Sequence, residues 1–469
     1  MAATRADYQK QYDLVRGPDG AVLYALAARP ALTLPSEVIS TIFLFSLPDD
    51  EFIAPKPNEA PLSLISICKR WRVIAVNTPA VWASLSIDIT WLPAMDDWIH
   101  PDEWIDLDED ELEYVYGEDI FLQWISRAKR MPLSIKIPKD SPVYDMDCLL
   151  QEIAELAAQW QNVCFFVDPD YVDLLFPVDS KFPMLRKFIL DCAEGIYPPP
   201  TLEDATMLRE ICISGAATPI SVARCIGIIE EGINLVDCSF FLTPDQPIAL
   251  LPRVANLQHL ALHEQAQTGA PLLAMSVLRN LTLPALKNLA LKFVNPGRRP
   301  PVDITEFISF ASRSSLQLES LTLCLMPVSE VDLLSCLAHV PSVFTLRLQL
   351  PASMTTFLER LASDGHFLPR LRFLYLVNFS SSQHNTPCTY KSPRPNSMLT
   401  MLDSRCRGPV NSRACLQLVH FRHAGTQAMN HFTTVVKSDP VHQALEKEGI
   451  DFVYERLPRA LRHKDWWLD

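Results

Sequence analysis

The sequence predicts an α/β fold in which a short helical unit precedes a solenoid of parallel strands and helices. Two observations support this prediction. Apolar residues at helical spacing occupy the stretch 34–82, and from Trp160 onward one short apolar phrase recurs through most of the chain. Because 48% of the 469 residues are hydrophobic, the chain can bury a large core.

The stretch 34–82 is predicted to form two amphipathic helices. The first begins near Pro35, where a missing N–H costs little, and Glu37 lies near the positive end of the helix dipole. The apolar positions are Val38, Ile39, Ile42 and Phe43, then, after a proline-rich loop over 48–61, Leu64, Ile67, Cys68, Trp71, Ile74 and Ala75. A unit this short cannot bury all of its apolar surface alone, so another domain or protein must cover part of it.

Several of these residues together resemble an F-box, in the F-box-like form abundant in mushroom-forming fungi. The resemblance covers about a tenth of the chain and rests on Leu-Pro-x-Glu at 34–37, Pro-Asp-Asp at 48–50 and Cys-x-x-Trp-Arg at 68–72. It implies docking onto a Skp-type linker of a cullin ubiquitin ligase. The implied linker-binding residues are Leu34, Pro35, Ile39, Ile42, Phe43 and Trp71. The loop over 48–61 is longer than in the commonest F-box, and the alternative is a helical cap on the domain that follows.

The recurring phrase has the form apolar-x-x-apolar-x-apolar, as in Trp160/Val163/Phe165. Its first residues are Trp160, Leu185, Leu208, Leu235, Leu257, Leu286, Leu318, Val343, Leu371 and, after a longer gap, Leu416. The alternation that ends each phrase indicates a strand. Earlier phrases at Trp82 and Arg130 are candidate first strands of the same array. Helical spacing between the phrases predicts helices over Cys148–Trp160, Ser221–Glu231, Ile304–Ser312, Val331–Val340 and Met354–Leu361.

One strand and one helix in each unit of about 20–29 residues is typical of a leucine-rich repeat, whose units stack and bury one another's apolar faces. The predicted domains are an extension over 1–33, the F-box-like unit over 34–82 and a solenoid over 83–469, with strands on the concave face and helices on the convex face. The repeats lack a regular Asn ladder and resemble the degenerate type found behind F-boxes. The alternative is a chance recurrence of leucine-rich phrases in an apolar chain.

Two segments near the end complete the predicted solenoid. The stretch 378–411 is rich in Ser, Pro and basic residues and is predicted to be a loop. A helix over 442–448 and a strand over 450–454 are predicted to form a terminal cap, which the last repeat needs.

The residues that flank the buried pair of each predicted strand point outward and are available to a partner. They tend to be acidic in the early strands and basic in the later ones. We therefore predict substrate binding at His259, Lys292, Arg347, Tyr375 and Arg422, with an acidic or phosphorylated segment near the three cations. The alternative is scattered surface charge without a binding role.

The net charge of −14 is concentrated in one segment. Residues 96–119 hold twelve carboxylates and no Lys or Arg, which leaves −2 for the rest of the chain. A nearly neutral body predicts no nucleic-acid partner. The acidic segment is predicted to be an insertion between two strands, with a clamp for a basic partner as the alternative.

The remaining patterns predict a non-enzymatic intracellular protein without a metal or cofactor. The twelve cysteines form no Cys-x-x-Cys pair, which favours reduced thiols in the cytosol or nucleus, and no apolar run is long enough to predict a membrane span. No nucleotide-binding, hydrolase or zinc-protease motif occurs. The predicted function is a substrate-recognition adaptor of a ubiquitin ligase, bound to a Skp-type linker and to an unknown protein substrate. The alternative is a leucine-rich-repeat binding scaffold without a ligase role.

Overall fold

A computed structural model describes the protein, which divides into two compact units, Met1–Leu149 and Leu150–Asp469. The described residues are 34–87, 121–138, 146–168, 171–177, 180–192, 202, 204–214, 220–221, 234–243, 256–265, 273–294, 304–326, 328–349, 354–378, 395–407, 416–423 and 427–456. The predicted extension over 1–33 and acidic insertion over 96–119 lie outside them. The boundary predicted after Trp82 falls inside the first unit.

The described residues of the first unit form several short helices and a pair of parallel strands. Its elements are α1 (Ser36–Phe45), α2 (Leu62–Ile67), α3 (Lys69–Val76), a 3-10 turn at Pro79–Trp82, β1 (Ser84–Ser86), helical residues over 121–128, and β2 (Leu133–Ile137). Helix α1 begins directly after Pro35, whose carbonyl accepts hydrogen bonds from the Val38 and Ile39 amides at 3.1 Å each. The earliest apolar phrases, at Trp82 and Arg130, thus end in strands that pair with each other.

The second predicted helix of the stretch 34–82 is broken into α2 and α3 at Cys68, so the prediction of one continuous helix was wrong. Cys68 has extended backbone angles, and its sulfur accepts the Trp71 amide at 3.4 Å, which caps α3. The Arg72 side chain donates to the Ile65 carbonyl at 2.8 Å and satisfies an acceptor in α2. The Cys-x-x-Trp-Arg spacing therefore builds the corner between the two helices.

Trp82 anchors the end of the helical stretch. The residue is fully buried, its indole N–H donates to the Ala75 carbonyl at 2.8 Å, and its ring packs edge-on against Trp124 at 5.0 Å between centroids. The Arg127 guanidinium lies 4.5 Å from the centre of the Trp82 ring, and burial lowers the pKa of Arg127. These contacts join α3 to the helical residues 121–128.

The long loop before α2 is attached to strand β1. The Ser84 hydroxyl donates to the Glu51 carbonyl at 2.7 Å and accepts the Ile53 amide at 3.0 Å, while the Ser86 amide donates to the Ile53 carbonyl at 2.8 Å. Ile53 is 3% exposed, so the loop also contributes one core side chain.

The second unit is an α/β array with parallel strands in nearly sequential order. Its strands are β3 (Trp160–Val167), β4 (Lys187–Cys192), β5 (Glu210–Ser214), β6 (Ile220–Ser221), β7 (Asp237–Thr243), β8 (His259–Gln265), β9 (Asn288–Val294), β10 (Ser320–Cys324), β11 (Thr345–Gln349), β12 (Phe373–Asn378), β13 (Leu418–His423) and β14 (Asp451–Arg456). Strands β3 to β14 pair in parallel with their neighbours in chain order, except that β5 pairs with β7. The two-residue strand β6 also pairs with β7. This order is solenoid-like, as predicted.

Each of the ten apolar phrases from Trp160 onward ends in one of these strands, and all of their apolar positions are buried. The most exposed is Leu208, at 5%. Equivalent positions lie side by side across strands, as in Leu321, Leu346 and Leu374 of β10, β11 and β12. Each such residue contributes about 1.5–3 kcal/mol of burial, so neighbouring units stabilise one another.

The helices described before and between these strands are α4 (Met146–Glu155), α5 (Val172–Leu175), α6 (Leu273–Arg279), α7 (Thr305–Ser314), α8 (Glu330–Ala338), α9 (Thr355–Ser363), α10 (Pro395–Arg407), α11 (Gln427–Ser438) and α12 (Pro440–Lys447). Helices α4, α7, α8, α9 and α12 match predicted helices to within a few residues at most of their ends, although α4 stops before Trp160. Of the helix predicted over 221–231, only Ser221 lies among the described residues, and it belongs to β6.

Two further differences from prediction concern the last part of the chain. The stretch predicted as a loop over 378–411 contains α10, so that prediction was wrong. Helix α11 was not predicted. The strand predicted at 450–454 is β14, which pairs in parallel with β13 and so extends the sheet by one strand.

Arginine side chains connect successive helices. Arg405 of α10 is 2% exposed and donates to the carbonyls of Leu361 at 2.7 Å, Leu368 at 3.2 Å and Phe367, at and beyond the end of α9. Arg313 of α7 donates in the same way to carbonyls at the end of α6. An arginine from the next helix thus satisfies acceptors that a helix end leaves without intrahelical partners.

Candidate functional site

One side of helix α1 presents apolar side chains to solvent. Val38, Ile42 and Phe45 are 42%, 40% and 87% exposed, and their i, i+4, i+7 spacing places them on one stripe of the helix. Ile39 and Phe43, on another side of the same helix, are 1% and 0% exposed. Helix α1 therefore has two apolar stripes, of which only one is buried within the protein.

Helices α2 and α3 add further exposed apolar side chains. Ile67 at the end of α2 is 57% exposed, and Val73 on α3 is 61% exposed. We call Val38, Ile42, Phe45, Ile67 and Val73 the exposed apolar set. The stripe formed by Val38, Ile42 and Phe45 is typical of an interaction surface, because large exposed apolar patches are rare on monomeric proteins.

The six predicted linker-binding residues divide between the surface and the interior. Pro35 and Ile42 are exposed, Leu34 and Trp71 are half-buried, and Ile39 and Phe43 are buried. Trp71 packs edge-on against Phe43 with centroids 5.1 Å apart. Ile39 and Phe43 can therefore contribute to binding only by holding α1 in place.

Four of the five members of the exposed apolar set were not among the predicted linker-binding residues, namely Val38, Phe45, Ile67 and Val73. Helical spacing from Val38 through Ile42 would have indicated Phe45. No comparable pattern indicates Ile67 and Val73, because their exposure depends on the break between α2 and α3 at Cys68.

In the second unit, the strand side chains that alternate with the buried positions form what we call the open face of the sheet. On this face Arg347 of β11, Tyr375 of β12 and His420 of β13 are directly adjacent in register. The Arg347 guanidinium carbon lies 4.7 Å from the centre of the Tyr375 ring, and the Tyr375 and His420 rings lie 5.6 Å apart. These three residues with Arg422 form what we call the cation–aromatic cluster.

Arg422 joins the cluster through a side-chain hydrogen bond. Its Nε donates to Nε2 of His420 at 3.2 Å. All four cluster residues are half-buried. Packing between neighbours therefore holds two guanidinium groups at the sheet surface, where a stacked arginine retains in-plane N–H donors for an acceptor group.

The other two predicted substrate-binding residues, His259 and Lys292, lie on β8 and β9 and make different contacts. Nδ1 of His259 is 2.5 Å from the Asn288 side-chain nitrogen. Asp237 is adjacent to His259 in register, and burial raises the pKa of Asp237. The structure thus brings Arg347, Tyr375 and Arg422 together but leaves His259 and Lys292 in a separate polar group.

His263 belongs to this second polar group. Its Nε2 lies 3.4 Å from the Ser239 hydroxyl, and Lys292 is next to it in register. Burial, with Lys292 nearby, lowers the pKa of His263 to about 3, so the imidazole is neutral near pH 7. The early strands also carry an ion pair between Lys187 and Glu210 at 3.4 Å. Charges on the earlier strands therefore contact one another, whereas the cation–aromatic cluster lies on later strands.

Comparison with known proteins does not assign a family or a function to the chain. No protein-family model matches the chain, and no curated protein is significantly similar to it in sequence. Among the described helices, none is long and apolar enough to cross a membrane. Functional inference therefore depends on the two surfaces just described.

Proposed function

We propose that the protein is a substrate-recognition adaptor of an SCF-type cullin ubiquitin ligase. In this proposal the stretch 34–82 is an F-box that docks onto a Skp-type linker. The second unit is a degenerate leucine-rich-repeat array whose open face binds a protein substrate. The adaptor supplies no catalytic residue, because tethering the substrate near a charged conjugating enzyme raises its effective concentration for transfer.

The exposed apolar set is the observation that supports docking. Phe45 leaves 87% of its side chain in water, and Val38 and Ile42 extend the same stripe along α1. Covering a side chain of this kind in an interface contributes about 1.5–3 kcal/mol to the free energy of binding. The F-box resemblance rests on the same three helices, so motif and exposed surface coincide in one short unit.

Co-purification with a Skp-type linker tests this proposal. We expect Ile42→Glu combined with Phe45→Glu to abolish co-purification of the co-expressed linker, because the two carboxylates cannot be desolvated in an apolar interface. Val331→Glu is the matched control, since Val331 is 70% exposed on α8 of the second unit. The control should co-purify with the linker as the wild type does.

All three substitutions lie at exposed positions, so circular dichroism should show wild-type melting for each variant. Retention of the linker by the Ile42/Phe45 variant, or failure of the wild-type chain to bind it, would refute the ligase proposal. The chain would then be a leucine-rich-repeat scaffold without a ligase role.

A further inference from the structure

Arg347 differs from the other cations on the open face in what it contacts. Its guanidinium stacks on Tyr375 at 4.7 Å, and within the described ranges it has no hydrogen-bond or ion-pair acceptor. Lys187 on the same face pairs with Glu210. The N–H edge of Arg347 is thus left to water or to a ligand, while stacking on Tyr375 restrains its plane.

Arg422 provides a second cation at a defined offset. Its register partner on β12 is Val377, two residues beyond Tyr375, so Arg422 is displaced from Arg347 by two strand spacings and two residues along the strand. These displacements are about 10 Å and about 7 Å. The Arg422 Nε already donates to His420, so Arg347 is the principal cation for an incoming anion.

We propose that the cation–aromatic cluster is the docking site for an acidic linear segment of the protein partner. A carboxylate or phosphate of that segment accepts hydrogen bonds from the Arg347 edge, and a second acidic group approaches Arg422. The half-buried Tyr375 and His420 rings provide an aromatic surface for the intervening residue. This proposal deepens the substrate-binding role proposed above and rests on it.

The charge of the surrounding sheet favours a peptide over a nucleic acid. Stacked arginine and tyrosine also suit unpaired bases, but the open face carries Glu210 and Asp237 on β5 and β7. Outside the acidic segment 96–119 the net charge of the chain is −2, so the array has no net basic charge. A nucleic acid needs a continuous basic surface along its backbone, whereas a short acidic segment needs only a local pair of cations.

The test is fluorescence anisotropy with the purified full chain and three labelled peptides of about twelve residues. The first repeats Glu-Gly-Ser, the second carries phosphate on its central serine, and the third replaces every Glu by Gln. We expect one or both anionic peptides to bind and the Gln peptide not to bind. Tighter binding of the phosphorylated peptide than of the Glu peptide would identify phosphate as the preferred group.

Charge reversal at Arg347 locates the site. Arg347→Glu should weaken binding by about tenfold or more, whereas Arg372→Glu should change it by less than about twofold. Arg372 is the matched control because it is an exposed arginine immediately before β12. Tyr375→Ala should also weaken binding, because the guanidinium loses its stacking partner. If Arg347→Glu does not fold, Arg347→Gln removes the charge and keeps much of the packing.

Equal effects of Arg347→Glu and Arg372→Glu, or no binding of either anionic peptide, would overturn the proposal. So would tighter binding of a single-stranded oligonucleotide that depends on Arg347. The assay contains no linker, so its failure differs from failure of the ligase proposal. Loss of linker binding would in turn leave peptide binding measurable.

Discussion

Arg405 is the most informative position for testing how the second unit is held together. Its buried guanidinium donates to the backbone carbonyls of Leu361, Asp364, Phe367 and Leu368, and Leu361, Phe367 and Leu368 are themselves at most 4% exposed. Arg405→Met fills most of the volume but removes every donor. Each unsatisfied buried acceptor costs about 1–3 kcal/mol.

Part of that loss is offset, because burying a guanidinium itself costs several kcal/mol. Several carbonyls lose their donor at once, so their summed cost exceeds this offset, and we expect Arg405→Met to lower the free energy of unfolding by about 3–5 kcal/mol. The assay is urea denaturation followed by circular dichroism.

Arg407→Met is the matched control, two residues along the same helix. Arg407 is exposed and pairs with Glu448 at 2.7 Å and Asp403 at 3.5 Å, interactions that water and salt screen. Its urea midpoint should stay close to that of the wild type. Equal midpoints for the two variants would refute the reasoning that Arg405 stabilises the end of α9.

Two further predictions concern a helix cap and a buried histidine. Cys68→Ala should destabilise the first unit by about 1 kcal/mol in thermal melts while Cys68→Ser does not, because serine retains a cap for α3; equal melting of the two variants would contradict this. Burial lowers the pKa of His442, Lys437 acts in the same direction, and Glu446 and Asp439 oppose it. Because the unfolded chain then binds a proton that the folded chain does not, stability should fall as the pH drops below about 6.5. The urea midpoint of His442→Phe should differ less between about pH 7.5 and about pH 5.5 than the midpoint of the wild type does. An unchanged pH dependence would count against this prediction.

Local alternation explains why the strands were predictable. Each phrase puts apolar residues on one face of a strand, and this period-two signal does not depend on distant contacts. Helix α10 was not predicted, because its burial does depend on a distant contact. Its buried positions Met398, Met401, Leu402 and Arg405 do follow helical spacing, but one of them is an arginine in a segment rich in Ser and Pro. Only the carbonyls at the end of α9 make that arginine suitable for burial.

The linker-binding residues show a second limit. Helix α1 has apolar stripes on two sides, and spacing alone does not say which stripe faces the interior. Packing of Phe43 on Trp71 decides that Ile39 and Phe43 are buried and that Val38, Ile42 and Phe45 are exposed. Two stripes of similar hydrophobicity are equivalent until a neighbouring helix covers one of them.

Composition and periodicity were sufficient for the α/β class, the parallel array and the side chains that face outward from each strand. These properties follow from local spacing, because a strand with alternating apolar residues can bury one face wherever it lies in the sheet. Three-dimensional structure was needed to show that Arg347, Tyr375, His420 and Arg422 form one cluster while His259 and Lys292 do not. Residues on different strands become neighbours only through strand register, and register is set by the packing of the whole array.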